Sequence, residues 1–148
     1  MTTEAPATPT TIRRATSQDA EALIPLASRF VEQSPFAQLV PLHDESARAA
    51  MLRCLVSGVG GATVFVAEQS VPCTAPGREL ERETRIVGAV MGESRSVWHS
   101  RQPIVEMLGG FAESLTVCNL LWDSFRQWAR KAQHASCVVM QGEAESLR

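Results

Sequence analysis

The sequence predicts a single α/β domain built around a mixed sheet, and three observations carry that prediction. The chain of 148 residues has the size of one domain, and 45% hydrophobic with 20% charged residues is ordinary for a globular core. Its apolar segments are of two kinds, β-branched runs and runs with a helical repeat, in the order β-α-α-β-β-β-α-β. The last three form a strand–helix–strand crossover, whose right-handed connection places its two strands parallel.

The first ten residues, MTTEAPATPT, are polar and Pro/Thr-rich and read as a flexible tail, leaving residues 11–148 as the domain. They have neither the basic start nor the apolar centre of a secretory signal. TIRRAT (Thr11–Thr16) reads as an edge strand. Thr16 then stands three before Asp19, a capping-box spacing with Asp in the acidic position. Leu23, Leu26, Ala27, Phe30 and Val31 share one helix face, and Pro25 inside the run predicts a kink or a late start. SPFAQLVPL is a loop. Asp44 can cap a second helix with Ala47, Met51, Cys54 and Leu55 on one face, which GVGG (58–61) ends.

TVFVA (Thr63–Ala67) and RIVGAVMG (Arg85–Gly92) are strands. Between them QSVPCTAPGRELERET is too long for a tight hairpin and reads as a solvated loop, a flap or a partner contact. ESRSVWHSRQ is a loop or strand end, and PIVEML (Pro103–Leu108) is the next core strand. Val117, Leu121, Phe125, Trp128 and Ala132 mark the face of a long helix, and SCVVM (Ser136–Met140) is the last buried strand. If the sheet ends there, its edge is open and calls for a homo-oligomer or a permanent protein partner.

A net charge of −2 leaves no basic footprint for nucleic acid or an anionic membrane. No apolar run approaches the ~20 residues that span a bilayer. Cys54, Cys73, Cys118 and Cys137 show no C-x-x-C spacing, which favours buried thiols over a zinc site or disulfides, with no metal expected and a reducing, cytoplasmic setting.

Glu106 stands out because an unpaired carboxylate inside an apolar strand is costly. It reads as a base, or as a carboxylate that faces solvent or pairs with an arginine on a neighbouring strand. His99 is a second candidate base, weighed against a solvated loop imidazole. Ser100 lacks the G-x-S-x-G elbow of a hydrolase, and His134 with Cys137 is a weak nucleophile pair. Trp128 packs in the core, while Trp122 is either surface packing or an anchor for a partner.

TIRRATSQDAEAL, VFVAEQ…RIVGAVMGE with Gly88 at a small position, and LLWDSFRQWARKAQHASCVVM together resemble the GNAT N-acetyltransferases over residues 11–141. The resemblance implies a three-layer fold with a mixed, mostly antiparallel sheet. It implies an acyl-CoA-dependent transfer of acetyl from acetyl-CoA to a small-molecule or peptide amine. Acetyl-CoA would lie between splayed fourth and fifth strands, along Met107 and Leu108, with a backbone N–H near Met107 for the oxyanion. The pyrophosphate would meet the turn Ala112–Val117, through Leu115, Thr116 and Val117. Glu106 would deprotonate the amine.

Three departures favour the alternative, a catalytically inactive GNAT-fold domain kept for binding or assembly, as in a viral or mobile-element structural protein. The turn reads A-E-S-L-T-V where the family has an arginine or glutamine and glycines, and glycine lets a cradle take φ > 0 without strain. Glu113 beside a phosphate costs about 3 kcal/mol at ~5 Å and an effective dielectric near 20. The chain has no tyrosine to protonate the leaving thiolate, and eight residues follow Met140 where the family continues through a helix and two strands. A silent domain would plug the gap with Leu115 and Phe111. An enzyme would keep it open, with a free helix start at Thr116.

Overall fold

A computed structural model describes residues 9–32, 44–56, 61–78, 80–140 and 143–147. The tail over residues 1–8, the loop SPFAQLVPL and most of GVGG lie outside the described residues. So do the side chains of Phe30, Val31, Ala47, Met51 and Cys54.

Six strands form one sheet in sequence order: β1 (Thr10–Arg14), β2 (Ala62–Pro72), β3 (Arg82–Arg95), β4 (Ile104–Ala112), β5 (Cys137–Met140) and β6 (Glu143–Ser146). All neighbours are antiparallel except β4 and β5, which are parallel, as the crossover through α3 (Leu115–Lys131) requires. Helices α1 (Ala20–Glu32) and α2 (Asp44–Val56) complete the described elements.

The sheet separates two buried clusters. On one face Val117, Leu121, Phe125, Trp128 and Ala129 of α3 pack on Val87, Val90, Val105 and Val138. The cluster with Leu23 of α1 contains Ala62, Val64, Val66 and Ala89, with Phe111 packed against it. Gly88 and Gly92 let α3 lie close to β3. A Cβ on Gly88 would come within 2.8 Å of Val117 and Leu121, and one on Gly92 within 2.4 Å of the Phe125 ring.

Several expectations change. β2 and β3 run far past their apolar cores because each strand satisfies the other's backbone groups, pairing Gln69 with Arg85 and Pro72 with Arg82. Seven of the sixteen residues of the expected polar loop, 69–72 and 82–84, are therefore strand. β4 continues through Gly109 and Gly110 to Ala112. β6 pairs antiparallel with β5, so the edge expected at SCVVM is covered. Its EAES carries no strand signal in side-chain patterning, and it forms because β5 offers unpaired backbone. Ala132 is the exposed C-cap of α3, and Ala129 takes its place in the core. The described cysteines are free thiols, but none is buried, and Cys118 is exposed off the core face of α3.

The α-helix begins at Ala20, after a 3₁₀ turn over Ser17–Asp19, and Pro25 still stands inside it. Asp19 accepts from the Thr16 backbone N–H at 2.7 Å and from Arg13 at 2.8 Å on both oxygens, tying β1 to this turn. Arg13 also pairs with Glu68 on β2. The Arg13 guanidinium chiefly, helped by the Thr16 N–H against the opposing pull of burial, lowers the Asp19 carboxyl from 3.8 to about 2. A pKa depressed on folding stabilises the fold above the ordinary value, and that stability disappears as pH falls from ~4 toward ~2. Asp19→Asn is expected to remove about 1 kcal/mol at pH 7, the figure being discounted for partial exposure. Urea melts should show the wild-type advantage fading below ~pH 4. An advantage unchanged at ~pH 2 would contradict this origin.

Candidate active site

β4 and β5 share three registered pairs, Val105 with Val138, Glu106 with Val139 and Met107 with Met140. β5 then ends while β4 runs on to Ala112, so Leu108–Ala112 has no β5 partner among the described residues. The divergence starts at a bulge. Gly92 pairs with Met107 and Met91 with Gly109, which leaves Leu108 as the extra residue on β4. A bulge bends the strand and releases its backbone groups from the ladder. A Cβ on the next residue, Gly109, would meet nothing within 4 Å. Among the described residues this leaves a wedge in the sheet's pairing beyond Met107 and Leu108.

The wedge leads to the start of α3. Ser114 is the N-cap, its Oγ accepting from the Val117 N–H at 3.2 Å. Leu115, Thr116 and Val117 are thus the first helical turn, which begins one residue before the helix start expected at Thr116. Their N–H groups have no carbonyl four residues back inside the helix. Ser114 satisfies the Val117 donor, and the Val117 side chain is buried over Gly88, so Val117 serves packing. Leu115 and Thr116 are exposed, Leu115 at 76%, and both present N–H groups at the positive end of the helix dipole. Leu115 does not plug the gap. Phe111 packs on the opposite cluster and does not plug it either.

The absence of glycine carries less weight than expected. Among the described residues the one non-glycine position with positive φ is His134, at 54°. Ser114 is extended, at φ −146°, and helical positions follow it. Leucine and β-branched residues fit such a turn without strain. Glu113 is also not a bare charge, because Arg85 of β3 forms an ion pair with it. Sequence reasoning missed Arg85. The signal was its place three residues before Gly88, on the strand that α3 crosses.

Glu106 is half-buried and pairs with Arg95 of β3. Directly opposite it stands Glu93, itself 3.3 Å from Arg53 of α2. Two like charges facing each other across a ladder repel, and the two arginines offset that. Arg95 was also missed, although a pairing of this kind was the second reading of Glu106. His99 lies exposed in the turn between β3 and β4, edge-on to Trp98 with ring centroids 5.1 Å apart. Trp98 is 97% exposed. Both candidate bases sit toward one end of the β3–β4 hairpin, Glu106 being two residues inside its closing pair of Arg95 and Ile104.

The other candidates have local roles. Ser100 Oγ accepts from the Gln102 N–H at 3.1 Å within its own turn. His134 adopts the left-handed conformation just past the end of α3, a C-terminal stop for the helix. Trp122 is half-buried, stacked on Phe125 at 5.9 Å, and packs rather than projects. No described helix is long and apolar enough to cross a membrane.

The sequence matches no protein-family model and no curated protein. The structure does match solved acetyltransferases. A possible acetyltransferase from Clostridium difficile 630 superposes with TM-score 0.66 at 9% identity, over 90% of this chain and 80% of that one. An aminoglycoside N-acetyltransferase, AAC(6')-Iy, solved in complex with CoA, gives 0.60 at 14% identity, over 95% and 82%. A ribosomal-protein-alanine N-acetyltransferase from Brucella melitensis biovar Abortus 2308 gives 0.57 at 14% identity, over 91% and 81%.

Proposed function

We propose that this chain, which has the GNAT acetyltransferase fold, transfers an acetyl group from acetyl-CoA to an amine. The observation that carries the reading is the parting of β4 and β5 after three pairs, at the Leu108 bulge, toward an unplugged helix start. The thioester end would lie along Met107 and Leu108, where a backbone N–H freed by the bulge can face a developing oxyanion. The pyrophosphate would meet the N–H groups of Leu115 and Thr116. Arg85 would supply the cation that the turn lacks, exchanging part of its bond to Glu113 for phosphate.

Glu106 would take the proton of the attacking amine, and Arg95 would have to yield that carboxylate as the ammonium arrives. The free thiols are consistent with a reducing, cytoplasmic setting. The acceptor is a small molecule or peptide bearing an amine. The Glu106–Arg95 ion pair also favours the second reading, an inactive domain in which Glu106 is structural.

Calorimetric titration of acetyl-CoA separates the phosphate contacts. Arg85→Ala should weaken binding about tenfold or more, and Glu113→Gln should strengthen it several-fold, each by changing one charge near phosphate. Equal affinities in wild type and both variants would remove Arg85 from the site.

A further inference from the structure

The glycines of the described residues divide by the reason each stands where it does. At Gly61, Gly88, Gly92 and Gly110 a Cβ would crowd, in turn, Ser94, the Val117 and Leu121 side chains, the Phe125 ring and the Ala89 carbonyl. Gly77 holds a turn at φ 81°. Gly109 has neither reason. Its φ is not positive, so the neighbouring bulge does not require a glycine there. Among the described residues a Cβ at 109 would meet nothing within 4 Å. Inside a strand, glycine costs backbone entropy and leaves nothing to pack. A strand glycine that neither backbone nor packing requires marks a place where a ligand comes against bare backbone.

The bulge decides what shares a face with Gly109. Gly109 stands opposite Met91 and Glu106 opposite Glu93, and those partners are two apart on β3. Directly paired residues share a face of the sheet, and so do residues two apart. The extra residue, Leu108, therefore brings Glu106 and Gly109 side by side on one face, about 7 Å apart. Phe111, two residues beyond Gly109, joins them, and Met91 and Phe111 both pack against the cluster that contains Leu23. The space over Gly109 thus has a carboxylate on one side and two large apolar side chains on the others. Toward β5 it has no strand partner among the described residues, because the β4–β5 pairing ends at Met107 and Met140.

We infer that the space over Gly109 receives the acyl group of the thioester and is built for an aliphatic chain longer than acetyl. This rests on the acyl-transfer reading of the same site and narrows its donor class. With the thioester along Met107 and Leu108, the carbonyl carbon lies over the bulge, between Glu106 and Gly109. The pantetheine arm reaches it from the α3 start, in the gap that β5 leaves. The amine approaches from the Glu106 side, since that carboxylate takes its proton. The acyl chain is the remaining substituent, and the free direction on that face is toward Gly109. Met91 and Phe111 can bury methylenes there but offer nothing to a charged group. A donor limited to acetyl would leave this space unused, and a side chain at 109 would then stabilise the strand without loss.

Calorimetric titration of acetyl-CoA, butyryl-CoA and free CoA into the intact chain tests this without an acceptor. Each methylene buried should strengthen binding about fourfold, so the wild type should prefer butyryl-CoA to acetyl-CoA about tenfold. Gly109→Val fills the space and should abolish that preference, and Gly109→Ala should reduce it. Melting temperatures of both variants should hold or rise, because the new side chains meet nothing in the protein. Equal affinity of the wild type for the two thioesters would overturn the inference. So would a Gly109→Val protein that keeps the preference, which would set Gly109 against the arm or solvent. A lower melting temperature in Gly109→Ala would show that the space is already filled, and would overturn it too. In each of these cases bound acetyl-CoA leaves the acetyl-transfer reading standing. Failure of all three compounds to bind the wild type would overturn that reading, and the acyl pocket with it.

Discussion

Phe125→Ala should destabilise the protein by about 3–5 kcal/mol, a large part of the 5–15 kcal/mol typical of a domain. Phe125 is fully buried where α3 meets the sheet, between Trp122 and Trp128, with centroids 5.9 and 5.6 Å away. The space it fills is shaped by Gly92, whose hydrogen faces the ring edge. Neither tryptophan can collapse inward without leaving its own packing, so the cavity stays open and the cost falls in the upper part of the range. For a chain of this size the melting temperature should drop by roughly 10 °C or more. Gly92→Ala should also be severe, because its Cβ would stand 2.4 Å from the same ring. Guanidinium melts of the two single variants and the double variant give the coupling. A loss under about 1 kcal/mol for Phe125→Ala would show that α3 is not anchored through this ring.

Glu106→Gln should lower kcat by about a hundredfold to ten-thousandfold if its carboxylate accepts the amine proton, with little change in acetyl-CoA affinity. The amide keeps the shape of the side chain but cannot take the proton. The substitution also breaks the ion pair with Arg95, which is half exposed, so its cost in stability should stay near 1 kcal/mol or less. The two effects separate the readings of Glu106. A stable variant with collapsed turnover supports the base. Full turnover in Glu106→Gln would make the pair purely structural and leave His99 as the remaining candidate, for which His99→Gln is the corresponding test.

Much of the fold was legible because its signals are local. The Val117, Leu121, Phe125 and Trp128 repeat specifies the buried face of α3, and Gly88 marks where that face meets β3. The crossover argument gave the parallel pair of β4 and β5. What was not legible depends on backbone pairing across distance. The outer halves of β2 and β3 are polar, and β6 is nearly all charged or small, so their strand state comes from the neighbour and not from side-chain pattern. The bulge at Leu108 likewise exists only in the register between β3 and β4.

The site followed the same division. Glu106 was visible as a carboxylate in an apolar strand, but its partner Arg95 is eleven residues away and is brought beside it by the hairpin. Glu113 looked like a bare negative charge because the sequence does not place Arg85 next to it. The turn looked strained without glycine because Ser114 was not recognised as the N-cap that starts the helix there. Each of these corrections removes an objection to phosphate binding or adds a constraint on the base. Neither kind follows from residue identity alone.

The central claim is that the wedge between β4 and β5 receives acetyl-CoA, and mapping backbone amide shifts during an acetyl-CoA titration tests it most directly. The account predicts saturable changes concentrated on Met107–Gly110, Leu115, Thr116 and Val139–Met140, with Arg85 and Glu113 following and the α1 face unmoved. Amide shifts that stay fixed at millimolar acetyl-CoA, or that move only on a surface away from Leu108 and Thr116, would contradict it.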